Sequence, residues 1–314
     1  MTNIMQRFIA FLLVLCIPIF AIAGCTNNDV ANAANQVTTN ANGAYSIDTK
    51  TTVPEGKLDV YMLDIGQGDA ILLKVGDEYS MIDTGDIEHR ENIVAQLKTM
   101  GVTKLKNIII THPHADHMGG FYAIAKAMSI EHVYDDGIAV DNNMYKTYEK
   151  WIEKNKIQRT TLRSGDVVDF GHGAVFVVYA PWVEPLTDKK GETDLNNNSI
   201  VGKLIFGKFS MLFTGDAELQ EEKKLIKEQN SRLFSRILKV GHHGSRTSSS
   251  EDFLKSIKPE SALISNGMYN KYGHPHDVTL RRLQENNIAI YRTDTMGRIH
   301  ISTDGNEWQI TTER

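Results

Sequence analysis

The feature that most constrains this chain is residues 108–120, where an apolar run ends in a cluster of side chains that commonly bind metals. Three isoleucines, Ile108 to Ile110, predict a buried strand, because β-branched residues suit a pleated and covered surface. Four candidate ligands follow within six residues: His112, His114, Asp116 and His117. Groups packed this tightly would repel one another when charged, and would be costly to desolvate without a cation. The cluster therefore predicts a metal site at the end of a strand.

The first 24 residues predict a lipoprotein signal peptide. Arg7 precedes an uncharged apolar run, Phe8 to Ala23, which Pro18 interrupts. The run is short for a membrane span but suits a secretory signal. It ends in Ile-Ala-Gly-Cys25, which resembles the bacterial lipobox and implies that Cys25 is lipidated after cleavage. The alternative is an uncleaved anchor helix. In both cases we expect export and attachment to the outer face of the cytoplasmic membrane.

Residues 25–56 predict a disordered tether, and residues 57–314 a folded body. The tether is rich in Asn, Ala and Thr and has few large apolar residues, so it cannot bury enough surface to offset its chain entropy. The whole chain carries a formal net charge of −5, which argues against a surface coated for nucleic-acid binding. A phosphate-bearing substrate would therefore rely on a local patch or on the metals.

The pattern of the body predicts an α/β (α+β) fold. Three short apolar runs at 58–65, 70–75 and 79–82 predict antiparallel strands, and residues 88–100 predict a helix. Between residues 133 and 214 the pattern is mostly that of strands, and helices return at 219–229, 251–257 and 278–286. Each half thus places hairpins first and helix–strand units later. Two sheets covered on the outside by helices would satisfy this order, with the ligand loops gathered at one edge.

Several motifs together resemble one family. His112-Pro-His-Ala-Asp-His117 is similar to the signature of the metallo-β-lactamase superfamily. Residues 63–70, 83–85, 213–216, 239–245 and 270–275 are similar to the hydrolase domain at the C-terminus of ComEC competence proteins. The resemblance spans residues 58–302. It implies a metallo-β-lactamase-like four-layer αββα sandwich that carries one or two divalent metal ions, zinc or alternatively manganese.

The resemblance also implies roles for individual residues. In the family pattern His112 and His114 serve the first metal, Asp116 and His117 serve the second, and Asp216 bridges both. His242 is the favoured further ligand, with His243 as a catalytic neighbour, and the reverse assignment stays open. His274 resembles the terminal histidine ligand of the superfamily, and its alternative is a residue that meets the substrate.

One departure from the wider superfamily concerns the first metal. A third histidine is usual before the bridging aspartate, but Asn196 to Ser199 stand at that place. Asn198 or Ser199 is therefore expected to face the first metal or the substrate. Asp83 ends a strand beside the cluster, where it either holds the free N–H of a ligand histidine or caps a turn.

Residues 244–250 combine hydroxyl groups with Arg246 and run into a helix, which favours an anion site that uses Ser245 and Arg246. A solvated loop is the alternative. The lysine pairs Lys189-Lys190 and Lys223-Lys224 are interpreted as solvated surface.

These inferences predict an extracytoplasmic metal-dependent hydrolase, most simply a phosphodiesterase or nuclease that acts on DNA. Metal-bound hydroxide would attack phosphorus. Asp116, Asp83, His243 and Arg246 are the catalytic candidates, with His274 as a further group that could assist the leaving oxygen. The alternatives are an esterase for cell-wall or phospholipid head-group phosphodiesters, a lactamase or lactonase, and a binding lipoprotein with a degenerate metal site. No protein partner is inferred.

Overall fold

The computed structural model describes residues 37–39, 45–47 and 56–314. The predicted signal peptide, Cys25 and most of the predicted tether lie outside these residues. Within the tether, the structure describes two three-residue strands that pair antiparallel, which the prediction did not anticipate. No helix in the described part of the chain is both long and apolar enough to cross a membrane.

The strands, in chain order, are β1 (Val37–Thr39), β2 (Tyr45–Ile47), β3 (Leu58–Met62), β4 (Ala70–Val75), β5 (Glu78–Thr84), β6 (Lys104–Ile109), β7 (Ser129–Asp135), β8 (Gln158–Thr161), β9 (Val167–Gly171), β10 (Ala174–Ala180), β11 (Val201–Phe206), β12 (Phe209–Phe213), β13 (Ile237–Lys239), β14 (Ser261–Ile264), β15 (Ala289–Arg292), β16 (Ile299–Thr303) and β17 (Trp308–Thr312). The α-helices are α1 (Arg90–Thr99), α2 (Ala115–Met118), α3 (Phe121–Ala127), α4 (Asn143–Asn155), α5 (Leu219–Gln229), α6 (Glu251–Ile257), α7 (Asp277–Glu285) and α8 (Thr293–Met296).

Two large sheets repeat one plan. The first has the order β17-β16-β3-β4-β5-β6-β7-β8, and the second β15-β14-β13-β12-β11-β10-β9. In the first sheet the pairs from β17 to β5 are antiparallel and those from β5 to β8 are parallel. In the second, β9 to β12 are antiparallel and β12 to β15 are parallel. The predicted order of hairpins followed by helix–strand units is therefore confirmed in both halves.

The body has four layers, which three clusters of buried apolar side chains hold together. Val60 of the first sheet and Phe176 of the second belong to one buried cluster between the sheets. A second cluster joins Ile93 of α1 to the outer face of the first sheet, and a third joins Leu225 of α5 to the outer face of the second. Burial of both sheet faces is the main stabilising term for such layers. The predicted αββα sandwich is confirmed.

The stretch from residue 133 to 214, predicted to be mostly strands, also contains a helix that the prediction did not assign, α4. Its buried residues Tyr145, Tyr148 and Ile152 recur at helical spacing. Asn142 caps the helix, because its Oδ1 accepts a hydrogen bond of 2.8 Å from the backbone N–H of Tyr145. Aromatic residues favour strands by composition, but here their spacing and the cap decide the structure.

Strands β5 and β6 are parallel, as are β12 and β13, so the carboxyl ends of neighbouring strands meet at shared edges. Asp83 lies near the end of β5, and the segments that follow β6, β12 and β13 carry the 112–117 cluster, Asp216 and His242-His243. Because parallel strands deliver their following loops to one edge, residues distant in sequence are brought together there.

Candidate metal centre

His117 is oriented by Asp83. One carboxylate oxygen of Asp83 accepts the backbone N–H of Thr111 at 2.7 Å, and the other accepts the Thr111 hydroxyl at 2.8 Å. That second oxygen also lies 2.8 Å from Nδ1 of His117. With Nδ1 committed to Asp83, Nε2 is the ring nitrogen left to face a ligand. It is buried, has no hydrogen-bond partner and lies 3.2 Å from Oδ1 of Asp216.

His243 repeats this arrangement. Its Nδ1 lies 2.9 Å from the carbonyl oxygen of Ser265, so Nδ1 donates and Nε2 is left free. That Nε2 is also buried without a partner, 3.3 Å from Oδ2 of Asp116 and 3.6 Å from Oδ1 of Asp216. Buried polar atoms rarely stay unpaired, so two imidazole nitrogens and a carboxylate oxygen converging on one point fit a cation. One ligand atom from each of Asp116, His117, Asp216 and His243 lies within 4.8 Å of the others.

The other oxygen of Asp216 faces a second group of histidines. Oδ2 lies 3.9 Å from Nε2 of His112 and 3.7 Å from Nε2 of His242. Nε2 of His112 is in turn 2.9 Å from Nδ1 of His114. Nδ1 of His242 lies 3.0 Å from Oε1 of Glu218, which again leaves Nε2 free. This second group is more open than the first, and His242 supplies the third histidine that the sequence before Asp216 lacks.

The adjacent histidines 242 and 243 reach opposite oxygens of Asp216 because of their backbone. Both have positive φ, 50° for His242 and 53° for His243. The left-handed conformation is disfavoured for residues other than glycine, and such strain concentrates at functional sites. The sequence predicted one ligand histidine and one neighbour. In the structure His242 faces one oxygen of Asp216 and His243 faces the other.

Ser199 holds Asp216 in place. The backbone N–H of Asp216 donates to Oγ of Ser199 at 3.0 Å, and that oxygen lies 3.4 Å from Nδ1 of His112. Gly215, at φ +49°, makes the approach possible, since a Cβ there would lie 2.8 Å from Cβ of Ser199. Ser199 is fully buried, so the structure places it behind the centre, without exposure to a substrate.

Asn198 does not face the centre either. Its side-chain amide donates one hydrogen bond to the carbonyl oxygen of Leu186 at 2.8 Å and another to that of Asp194 at 2.7 Å. The residue is fully buried, and its side-chain oxygen accepts from the backbone N–H of Leu186. The structure therefore corrects the expectation of a ligand or substrate contact: Asn198 pins the 186–198 loop.

A buried ion pair that sequence reasoning missed lies beneath the centre. Lys239 donates to Oδ2 of Asp69 and, at 3.2 Å, to the carbonyl oxygen of Gly215. Burial would raise the pKa of Asp69, but Lys239, His243 and His117 together outweigh it and lower that pKa to about 2. The other oxygen of Asp69 lies 3.5 Å from Nδ1 of His243. The available signal was a lysine inside the apolar strand β13.

The charges of the candidate ligand histidines differ. Burial lowers the pKa of His112 well below its usual value, and the charge of His117 adds to this effect. Burial also opposes the charged form of His117 and His243, but Asp216 and other carboxylates outweigh it. They hold the pKa of His117 well above its usual value and raise that of His243 to about 10. A metal must therefore displace a proton from each of these two rings.

The remaining predicted residues lie at the rim. The ring of His274 is edge-on to that of His242, with 5.5 Å between centroids, and its Nδ1 is buried without a partner. Burial and neighbouring histidines lower its pKa to about 4, so the ring is neutral at pH 7. Ser245 is buried, with Oγ 2.9 Å from Oγ1 of Thr247, whereas Arg246 is exposed. Of the two residues predicted for the anion site, Ser245 is thus buried and Arg246 reaches solvent.

Comparison with known proteins gives a consistent result. The sequence matches the family model described as "Metallo-beta-lactamase superfamily" over residues 63–267. Competence protein ComA of Neisseria gonorrhoeae is 30% identical over 248 residues, which cover 79% of this chain and 32% of that protein. ComE operon protein 3 of Bacillus subtilis is 29% identical over 264 residues, 78% of this chain and 33% of that protein. This chain thus spans about a third of the length of these relatives.

A solved structure shows the same fold. The metallo-beta-lactamase fold protein YhfI from Bacillus subtilis superposes with a TM-score of 0.52 at 11% identity. The superposition covers 79% of this chain and 100% of that protein.

Proposed function

Because this chain belongs to the metallo-beta-lactamase superfamily, we propose that it is a metal-dependent phosphodiesterase whose substrate is DNA. The observation that carries the proposal is the two-sided environment of Asp216, whose oxygens each face two histidine nitrogens. Two ions sharing a carboxylate can stabilise both the attacking and the leaving oxygen of an in-line displacement at phosphorus. That arrangement suits a phosphodiester.

The ligand sets follow from these contacts. His112, His114 and His242 would hold the first ion, Asp116, His117 and His243 the second, and Asp216 both. Imidazole and carboxylate ligands suit zinc, and manganese accepts the same set. When bound, the ions would supply an activated water and neutralise charge on the phosphoryl oxygens.

Side chains around the ligands prepare this chemistry. Asp83 and the carbonyl of Ser265 fix which nitrogen of His117 and His243 faces the centre. The Asp116 side chain is 23% exposed, against 3% or less for its partners His117, Asp216 and His243, so a substrate would approach from its side. Arg246 adds positive charge at the rim, and the neutral ring of His274 would donate an N–H to a phosphoryl or leaving oxygen.

The name of the relative Competence protein ComA supports DNA as the ester. The test is a substrate panel with the zinc- or manganese-loaded protein: linear DNA, bis(p-nitrophenyl) phosphate, a phosphorylcholine ester and nitrocefin. We expect hydrolysis of the first two. Activity confined to nitrocefin would refute a phosphodiesterase, and activity confined to the phosphorylcholine ester would replace DNA with a head-group substrate.

A matched pair of variants ties the activity to the centre. Asp216→Asn removes the charge that the two ions share. It should lower kcat/KM by more than about a hundredfold, which is the largest loss usual when a residue that only orients a metal ligand is replaced. Asp252→Asn, on the exposed face of α6, should behave as the parent. Equal activity of both variants would contradict the proposed centre.

We also propose that the protein works outside the cytoplasm, attached to the membrane through a lipid at Cys25. The support is the sequence of residues 1–25, which resembles a lipoprotein signal. Labelled palmitate should be incorporated into the parent and not into Cys25→Ala. Labelling that is absent from the parent, or unchanged in the variant, would refute the anchor without affecting the proposed chemistry.

A further inference from the structure

A groove of about 1080 Å³ opens beside the metal centre. Glu218, Arg246 and Thr247 line it, and these residues also border the centre. Oε1 of Glu218 lies 3.0 Å from Nδ1 of His242 and accepts the hydroxyl of Thr247 at 2.9 Å. A chain lying in the groove would therefore reach the ligand His242.

The groove is basic although the protein is acidic. Seven lysine and arginine side chains line it against four carboxylates, a local charge of +3 in a chain of net −5. Of those carboxylates, Glu218 is engaged with His242, and Glu228 accepts a hydrogen bond from Trp182. By contrast, the groove lysines 189, 190, 223 and 227 form no ion pair with a carboxylate of the described residues. The lysine pairs interpreted as solvated surface thus converge on one groove.

An aromatic loop borders the centre at His274. Tyr269 is 96% exposed and Tyr272 is 50% exposed. The ring of Tyr272 stacks on that of His274, with 5.6 Å between centroids and an angle of 22°. The groove reaches His242 through Glu218, and the aromatic loop reaches it through His274. A cationic groove together with exposed aromatic rings is the combination that binds single-stranded nucleic acid, since its bases stack and its phosphates need positive charge.

We propose that the groove and this loop form one extended site for a single nucleic acid strand. The groove lysines bind backbone phosphates, and Tyr269 and Tyr272 stack on bases near the phosphate at the centre. A wall polymer also carries phosphodiesters, but it lacks bases, so the aromatic loop favours nucleic acid. The inference rests on the proposed function in taking a phosphodiester as the substrate, and its test measures binding without hydrolysis.

The test uses the full chain in detergent with a chelator, and the fluorescence anisotropy of a labelled strand of about 12 nucleotides. Lys223→Glu/Lys227→Glu should weaken binding about tenfold and reduce the slope of log affinity against log salt by about 1.4, the value for two phosphate contacts on a single strand. Lys146→Glu/Lys150→Glu reverses two lysines at the same spacing on α4 and should match the parent.

The aromatic contact is tested with an abasic strand of equal length. Tyr269→Asn should weaken the ordinary strand about tenfold and leave the abasic strand unchanged. Asparagine is chosen because Tyr269 has φ +55°, which asparagine tolerates. An abasic strand that binds the parent as tightly as the ordinary strand would overturn the stacking contact.

Two further measurements keep the outcomes separate. The unfolding midpoint of each variant is compared with that of the parent, and Lys223→Gln/Lys227→Gln replaces the charge reversal if that variant unfolds. Binding within about twofold of the parent by the folded Lys223/Lys227 variant, whether it carries glutamate or glutamine, would overturn the groove. Turnover of bis(p-nitrophenyl) phosphate by the metal-loaded parent is measured in parallel: its absence would count against the proposed function, whatever the binding result.

Discussion

Asp83→Asn should weaken the second metal site while leaving the fold in place. The carboxylate of Asp83 accepts three hydrogen bonds, two from Thr111 and one from Nδ1 of His117. Asparagine has the same shape, but one of its terminal atoms is a donor. If the amide nitrogen faces His117, the ring must present Nδ1 as an acceptor, and the proton moves to Nε2, the atom that faces Asp216.

The size of the effect follows from this change of tautomer. Loss of a partner that orients a ligand histidine typically costs 10- to 100-fold in metal affinity. At saturating metal, a weakening of that size removes about 1.4 to 2.7 kcal/mol of the stabilisation that the metal gives. The metal-free protein should change less, because the side-chain oxygen of an asparagine at this position can still accept the backbone N–H of Thr111.

The assay is zinc affinity by competition with a chelating dye, together with unfolding in the presence and absence of metal. Asp59→Asn is the matched control, since Oδ1 of Asp59 lies 2.7 Å from Nε2 of His300, an aspartate–histidine pair in β3 and β16. It should bind zinc as the parent does. If Asp83→Asn kept the second-site affinity within about twofold of the parent, the orienting role of Asp83 would be refuted.

Three further predictions follow from the same contacts. His242→Ala and His243→Ala should each lose one ion of two by metal analysis, whereas loss of the same ion by both would contradict the division at Asp216. Lys239→Met should lower the free energy of unfolding by about 3 to 5 kcal/mol in urea titrations, because Asp69 would stay buried without its partner; an unchanged midpoint would refute this. Burial and neighbouring carboxylates hold the pKa of Glu221 well above its usual value, and neither of its carboxylate oxygens has a hydrogen-bond partner. The folded protein keeps this proton to a higher pH than the unfolded chain, so the stability it contributes is lost as pH rises from the usual glutamate pKa through the raised one. Glu221→Gln should therefore lose less unfolding free energy than the parent over that range.

The centre could be predicted from sequence where its chemistry is local. His112 to His117 follow directly from one strand, so their spacing alone places four ligand-type side chains at one strand end. Asp83 could be foreseen as the support of a histidine because it ends the neighbouring parallel strand. The layering of two sheets covered by helices followed from the alternation of hairpins and helix–strand units.

What escaped prediction depends on backbone conformation and on contacts across the sheets. The division of His242 and His243 between the oxygens of Asp216 requires positive φ at both residues, which is uncommon for any residue other than glycine and could not be expected at two successive positions. The pairing of Asp69 with Lys239 joins the two sheets, so no local pattern encodes it. Asn198 took a structural role because its loop uses every hydrogen of its side-chain amide.

The charge of the centre bears on how many ions it needs. Its fixed charges are those of Asp69, Asp83, Asp116, Asp216, Glu218 and Lys239. Once the second ion has displaced the protons of His117 and His243, five carboxylates and one lysine sum to −4, so that ion alone would leave −2, which would oppose an anionic diester. Two ions bring the centre to zero, and the exposed Arg246 then adds positive charge where the substrate enters. We therefore expect a phosphodiester to bind well only when a metal ion lies on each side of Asp216. A neutral lactam would not need the charge of the second ion in order to bind.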